Sequence, residues 1–111
     1  MEQISYAQFE IVDMRVGRVI RAEEFPKARK PAYKLWIDFG ELGVKTSSAQ
    51  ITRLYRPEEL VGRMIVAVTN FPPRRVADFA SEVLVLGVEQ SPGEIALLAP
   101  DRDVQPGLRV F

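Results

Sequence analysis

Two short apolar runs separated by a double proline constrain this chain more than any other stretch. The first, Met64-Ile65-Val66-Ala67-Val68-Thr69, enters a loop over residues 70–81, and the second, Val83-Leu84-Val85-Leu86, leaves it. Both are short, rich in Val and Ile, without clear alternation and bounded by turn residues, the pattern of strands covered on both faces. A core hairpin is the economical reading. Its loop is unusual, because Pro72 and Pro73 stiffen it while Phe71, Arg74, Arg75 and Phe79 supply rings and permanent positive charge that a solvated connector does not need. Loops held by rigid strands are favoured places for binding residues, so this stretch is the first candidate for a working surface.

The flanking segments read as more short strands. Ser5 followed by Gln8 is a capping box for a short helix, with Ile4 placed to pack on Phe9 as a staple. From Val12 the apolar residues Val12, Met14, Val16, Ile20 and Ala22 alternate with Asp13, Arg15 and Arg21, giving a long half-buried strand. Arg18 and Val19 break that phase just after Gly17, which predicts a bulge or bend there. Residues 23–32 hold Pro26, Pro31, Lys27, Arg29 and Lys30, a loop with a basic tip whose plainer reading is a solvated connector. Over residues 33–40, Leu35, Ile37 and Phe39 take one face and Lys34, Trp36 and Asp38 the other. An indole amid polar neighbours covers a barrel edge or subunit contact, or grips a ligand. Thr46, Ser47 and Ser48 in the next strand suit a solvent-facing or ligand-facing sheet surface. Pro57, Glu58, Glu59 and Gly62 describe one or two helical turns that plug a barrel end. Residues 90–93 make a turn and residues 94–99 another strand.

Composition narrows the function classes. One compact domain suits 111 residues with 47% hydrophobic content. Fifteen basic residues balance fifteen acidic ones, so attraction to nucleic acid or membrane must be local. Neither cysteine nor histidine is present, which excludes disulfides, thiolate chemistry, Ser-His triads and the usual zinc sites. Asp101 and Asp103 lack further metal ligands nearby, and Ser47-Ser48 has no base to activate a nucleophile. No enzyme activity, cofactor, metal site or membrane insertion is expected, and the absence of a signal-peptide start predicts a cytoplasmic protein.

Five or six strands with one capping helix suggest an OB-like barrel, although a small β-sandwich fits the same pattern. OB barrels bind extended ligands across one sheet face and its loops. Trp36, Phe71 and Phe79 are the candidate rings and Lys34, Arg74 and Arg75 the candidate cations. Phe71 and Phe79 equally suit closure of the barrel end, and Arg74-Arg75 a wet loop tip. The apolar residues Ile4, Tyr6, Leu108, Val110 and Phe111 predict docking on a second subunit.

Several spaced segments also resemble a known family. Val12-Asp13-Met14-Arg15-Val16-Gly17-Arg18-Val19, Lys34-Leu35 ahead of Asp38-Phe39-Gly40-Glu41, residues 55–63, Val68-Thr69-Asn70-Phe71-Pro72-Pro73-Arg74 and Ser81-Glu82 occur in the order of the tRNA-binding module. That module is found appended to some aminoacyl-tRNA synthetases and as free dimeric proteins. Residues 30–40 and 46–52 resemble those of the CsaA-type secretion chaperones of this family.

The resemblance implies an all-β fold with short helices: a five-stranded Greek-key OB barrel spanning residues 1–111 as a homodimer. Its core would be about 8–100, with terminal segments 1–7 and 101–111 serving dimerisation. It implies non-enzymatic binding of unfolded preproteins, for which Trp36, Phe71, Arg74 and Phe79 are the candidate contacts. The alternative is a tRNA-binding accessory protein that grips the outer corner of tRNA by shape. That surface would carry over to Lys34, Asn70, Arg74 and Ser81, with Arg75 beside them. Two departures stand out. Phe25-Pro26-Lys27-Ala28-Arg29-Lys30 replaces a histidine-rich, acidic approach, and Val83-Leu84 replaces Gly-Met after Ser81-Glu82. Zero net charge predicts few phosphate contacts and tilts the expectation toward peptide.

Overall fold

The computed structural model describes residues 1–111. Its central strand, β1 (Met14–Glu24), has 11 residues, enough to serve two partners in succession. The first half pairs antiparallel with β4 (Met64–Val68), from Met14 opposite Val68 to Arg18 opposite Met64. The second half pairs with β2 (Tyr33–Asp38), from Arg18 opposite Asp38 to Glu24 opposite Tyr33. β3 (Val44–Ala49) continues the sheet beyond β2, and β7 (Leu84–Val85) continues it beyond β4. The two outer edges then meet, because the Glu82 and Val83 amides donate to the Thr46 carbonyl at 2.8 and 3.2 Å. The result is a nearly closed five-strand antiparallel barrel of OB type with only short helices, not a sandwich.

The alternation along β2 builds the core. Leu35, Ile37 and Phe39 are fully buried and meet Val19 of β1 and Ile65 of β4. One barrel end is plugged by α2 (Pro57–Leu60), whose Leu60 is fully buried. This short helix starts where the Arg56 amide donates to the Glu59 carboxylate at 2.8 Å, and it stops before Gly62, which has φ +94°. The expected hairpin across the double-proline loop forms through Ala67 opposite Val85 and Val68 opposite Leu84.

Gly17 has a different role from the one its local phase suggested. The register shift in β1 falls between Val19 and Arg21, so Val19 faces the core and Ile20 faces solvent. Gly17 itself is buried where the sheet passes closest to its own core: a Cβ there would stand 2.6 Å from Ile37 Cγ2 and 2.7 Å from Phe39 Cε1. Gly17→Ala is therefore expected to overpack the barrel and lower stability by about 1–3 kcal/mol, read as a shifted midpoint in chemical denaturation.

Four further expectations are corrected. Ser47 is buried, because the inward positions of β3 are Ser47 and Ala49 and small side chains fit opposite Leu35; only Thr46 and Ser48 face outward. The run 83–86 supplies a two-residue strand whose Leu84 is exposed, so it is not covered on both faces. The loop after β4 folds into a ribbon of its own, β5 (Arg74–Val76) and β6 (Phe79–Ser81). Finally, residues 87–97 form a separate hairpin, β8 (Gly87–Ser91) with β9 (Glu94–Leu97), where only the second strand was anticipated. Ile95 and Leu97 pack against the barrel core, and the Leu97 amide donates to the Tyr55 hydroxyl at 3.0 Å.

Both ends of the chain lie beside the start of β1. The capping box of α1 (Tyr6–Ile11) forms as expected, with Gln8 N–H donating to Ser5 Oγ at 3.1 Å and Ser5 N–H to Gln8 Oε1 at 2.8 Å. The expected staple does not bury Ile4, which is 68% exposed, and the ring that meets Phe9 is Tyr6. Residues 107–110 run antiparallel along β1 through Gly107 N–H to the Val16 carbonyl, Val16 N–H to Leu108 and Val110 N–H to Met14. Arg109 reaches the Glu10 carbonyl at 2.6 Å, tying this segment to α1. Ile4, Tyr6, Ile11, Leu108 and Phe111 remain exposed, while Val110 is half-buried. No helix is long and apolar enough to cross a membrane.

Candidate binding surface

The outward positions of β2 and its neighbours hold a packed row of rings and cations. Trp36 stands opposite Arg21 across β1 and β2, and the guanidinium lies 4.3 Å from the indole centroid. Glu23 pairs with the same guanidinium and holds it there. Phe79, from the ribbon, meets Trp36 edge-on at 5.7 Å and Phe25 edge-on at 5.6 Å. Lys34 Nζ lies 4.8 Å from the Phe25 ring and 5.3 Å from that of Phe79. Such contacts add to buried apolar area in fixing geometry. Trp36 and Phe79, expected as open rings for a guest, are half-buried and engaged with each other. They seat the ribbon.

Polar groups complete that seat. Ser48 N–H donates to Ser81 Oγ at 2.9 Å, Thr46 N–H donates to the Glu82 carboxylate at 3.0 Å, and the Thr46 hydroxyl donates toward the Ala80 carbonyl at 2.7 Å. At the ribbon's tip Ala77 has φ +52°, a left-handed conformation that ordinary residues avoid. Beside it Asp78 accepts a hydrogen bond from Lys27 Nζ at 3.0 Å, linking the tip to the basic loop of residues 25–32. The Lys27 hydrogen bond and charge hold the Asp78 carboxyl below its ordinary value of 3.8. The link therefore persists at and above that ordinary value and is lost as pH falls through the depressed one. An NMR titration should place the Asp78 midpoint below 3.8, and Lys27→Gln should return it upward.

The ribbon separates two grooves. One, about 440 Å³, is lined by Phe71, Pro72, Pro73, Val83 and Leu84 and by the polar residues Arg74, Glu82, Ser48 and Ser81. Phe71 is 54% exposed at its edge. The other, about 580 Å³, lies between the basic loop and β5; Lys27, Arg29 and Lys30 face Arg74 and Arg75 across it. Arg74 and Ser48 line both grooves. Neither Arg74, Arg75, Arg29 nor Lys30 takes part in an ion pair.

The family described as "Putative tRNA binding domain" matches residues 14–109. The chain belongs to this family, as a CsaA-type tRNA-binding-domain protein. The crystal structure of the chaperone CsaA from Bacillus anthracis is similar over 99% of this chain and 100% of its own, with a TM-score of 0.94 and 52% identity. CsaA from Picrophilus torridus has a TM-score of 0.90 and 46% identity, covering 98% of this chain and 100% of its own. A methionine–tRNA ligase from Methanocaldococcus jannaschii is 36% identical over 99% of this chain, which spans 17% of that ligase.

Of the residues that the tRNA-binding-domain resemblance assigns to tRNA, the structure brings Lys34, Arg74 and Ser81 around the ribbon, with Arg74 opposite Ser81 and the added candidate Arg75 next to them. It places Asn70 elsewhere. The Asn70 amide accepts from Asp13 N–H at 3.0 Å and donates to the Ile11 carbonyl at 2.7 Å, clipping the α1–β1 connection and lining neither groove. Lys27, Arg29 and Lys30 were read only as a loop tip. Their density in ten residues was the available signal; that they face Arg74 and Arg75 depends on a contact across some fifty positions.

Proposed function

We propose that this chain is a non-enzymatic cytoplasmic chaperone that holds unfolded preproteins in the grooves flanking β5. The observation that carries the reading is the pairing of an exposed ring with a cation outside any ion pair: Phe71 and Arg74 share a groove whose apolar lining is Pro72, Pro73, Val83 and Leu84. Neither is needed to complete the barrel, and a guest with apolar and carboxylate side chains satisfies both. The likeness to two structures titled as CsaA chaperones supports it. Titration of a labelled unfolded preprotein over a range of salt tests the reading. Binding at micromolar protein that persists at high salt is expected, because apolar burial is not screened; no binding removes it.

A second reading, tRNA binding, is favoured by the cluster of cations beside β5 and by the family itself. It predicts that Arg74→Ala weakens tRNA retention uniformly across sequences and lowers the salt slope by about 0.9 per lost phosphate contact.

The working unit in this proposal is a homodimer. Ile4, Tyr6, Leu108 and Phe111 expose apolar surface at one end of the barrel, where a second copy would cover them. Sedimentation at twice the monomer's 12.5 kDa is the expected result, and Leu108→Asp should shift it toward one.

A further inference from the structure

We infer that the two grooves act as one bipartite site selecting polypeptide segments in which acidic side chains adjoin an apolar run. The acidic side chains enter the cleft beside the basic loop, and the apolar ones enter the groove beside Phe71. The inference rests on the preprotein reading and adds a sequence preference to it.

Charge placement is the first support. The chain is neutral overall, yet five of its 15 basic residues surround one cleft. Only Lys27 among them has an acidic partner, Asp78, at the cleft's lip. Like charges gathered without counterions repel one another, and an anionic guest reverses that cost. Arg74 and Arg75 present planar forks that match carboxylates two bonds at a time.

The choice between carboxylate and phosphate follows from the remaining surface. A single-stranded nucleic acid needs rings on which bases stack. No ring lines the cleft, whose walls between the cations are Ser48, Gln50, Val76 and small residues such as Ala28, Ala32 and Ala77, while Phe25 and Phe79 are engaged edge-to-face with each other. A phosphodiester backbone leaving the cleft past Arg74 would run over Phe71, Val83 and Leu84 and beside the Glu82 carboxylate, which repels it. A polypeptide changes from charged to apolar within one residue, so it alone suits two contiguous grooves of unlike character.

The test uses fluorescence anisotropy with three extended peptides that share one apolar run. It is preceded by an acidic segment, by the same segment as amides, or by a lysine segment. At low salt the acidic peptide should bind about tenfold more tightly than its amide twin, and the lysine peptide least well. The variant R29Q/K30Q/R75Q, which breaks no ion pair, should bind the acidic and amide peptides alike. Equal binding of acidic and amide peptides by the native chain overturns the inference and leaves the preprotein reading standing. Binding of none of the three overturns both. A preference that survives in the variant, alongside lost tRNA retention, also overturns it and assigns the cleft to a phosphate backbone.

Discussion

Phe79→Ala is expected to weaken the retention of both preprotein and tRNA by tenfold or more, although the ring is turned away from any guest. The ribbon has three residues in each strand, and a two-stranded ribbon is marginal in water unless something packs beneath it. Here Phe79 packs beneath it, edge-on to both Trp36 and Phe25. Each of the two pairs contributes roughly 0.5–1.5 kcal/mol beyond burial, and the lost area of this half-buried ring adds about 1 kcal/mol, so truncation costs roughly 2–4 kcal/mol. That is a factor of about 30 to 1,000 in the seated population. Arg74 and Arg75 lose their fixed position together, and the wall between the two grooves moves with them. Hydrogen exchange should show lost protection at ribbon amides while β1, β2 and β4 stay protected, since the core they share does not include Phe79. Phe79→Tyr, which keeps the ring, should restore both protection and binding. Intact binding in the alanine variant would mean that the ribbon's seat is irrelevant to the guest.

The contrast between Phe79 and Leu35 shows what could be read from sequence and what could not. Leu35, Ile37 and Phe39 alternate with polar neighbours, so their common face follows from a period of two residues, and the same rule placed Trp36 outside. The capping box at Ser5 and Gln8 and the stop at Gly62 are equally local. By contrast, the phase break after Gly17 points to a bulge that lies further on, between Val19 and Arg21, because a glycine that marks a bend and one that admits a neighbour's side chain look identical until Ile37 and Phe39 are in place. A hydroxyl usually faces outward, yet Ser47 faces inward because the barrel interior needs a small side chain opposite Leu35. The candidate site followed the same division. Phe71 and Arg74 announced themselves by sitting beside two prolines, but the partners of Phe79 lie in β2 and in the basic loop, and no local pattern encodes those contacts.

Phe71→Ala separates the two binding modes proposed for this surface. The ring is more than half exposed and belongs to no core cluster, so its removal should change stability by no more than about 0.5 kcal/mol. Preprotein affinity should nevertheless fall about 10- to 100-fold, the range for truncating an aromatic anchor at the centre of an apolar contact. The loss should be nearly independent of salt, because the lost contact carries no charge. In the proposed tRNA mode the phosphate contacts would come from the cations on the far side of β5, so tRNA retention should be almost unchanged in the same variant. Arg74→Ala should behave differently: Arg74 lines both grooves, so it should weaken both ligands, and its effect on tRNA should shrink as salt rises. If Phe71→Ala leaves preprotein affinity intact while Arg74→Ala removes tRNA, the groove beside the prolines holds no guest and the family's nucleic-acid reading takes precedence.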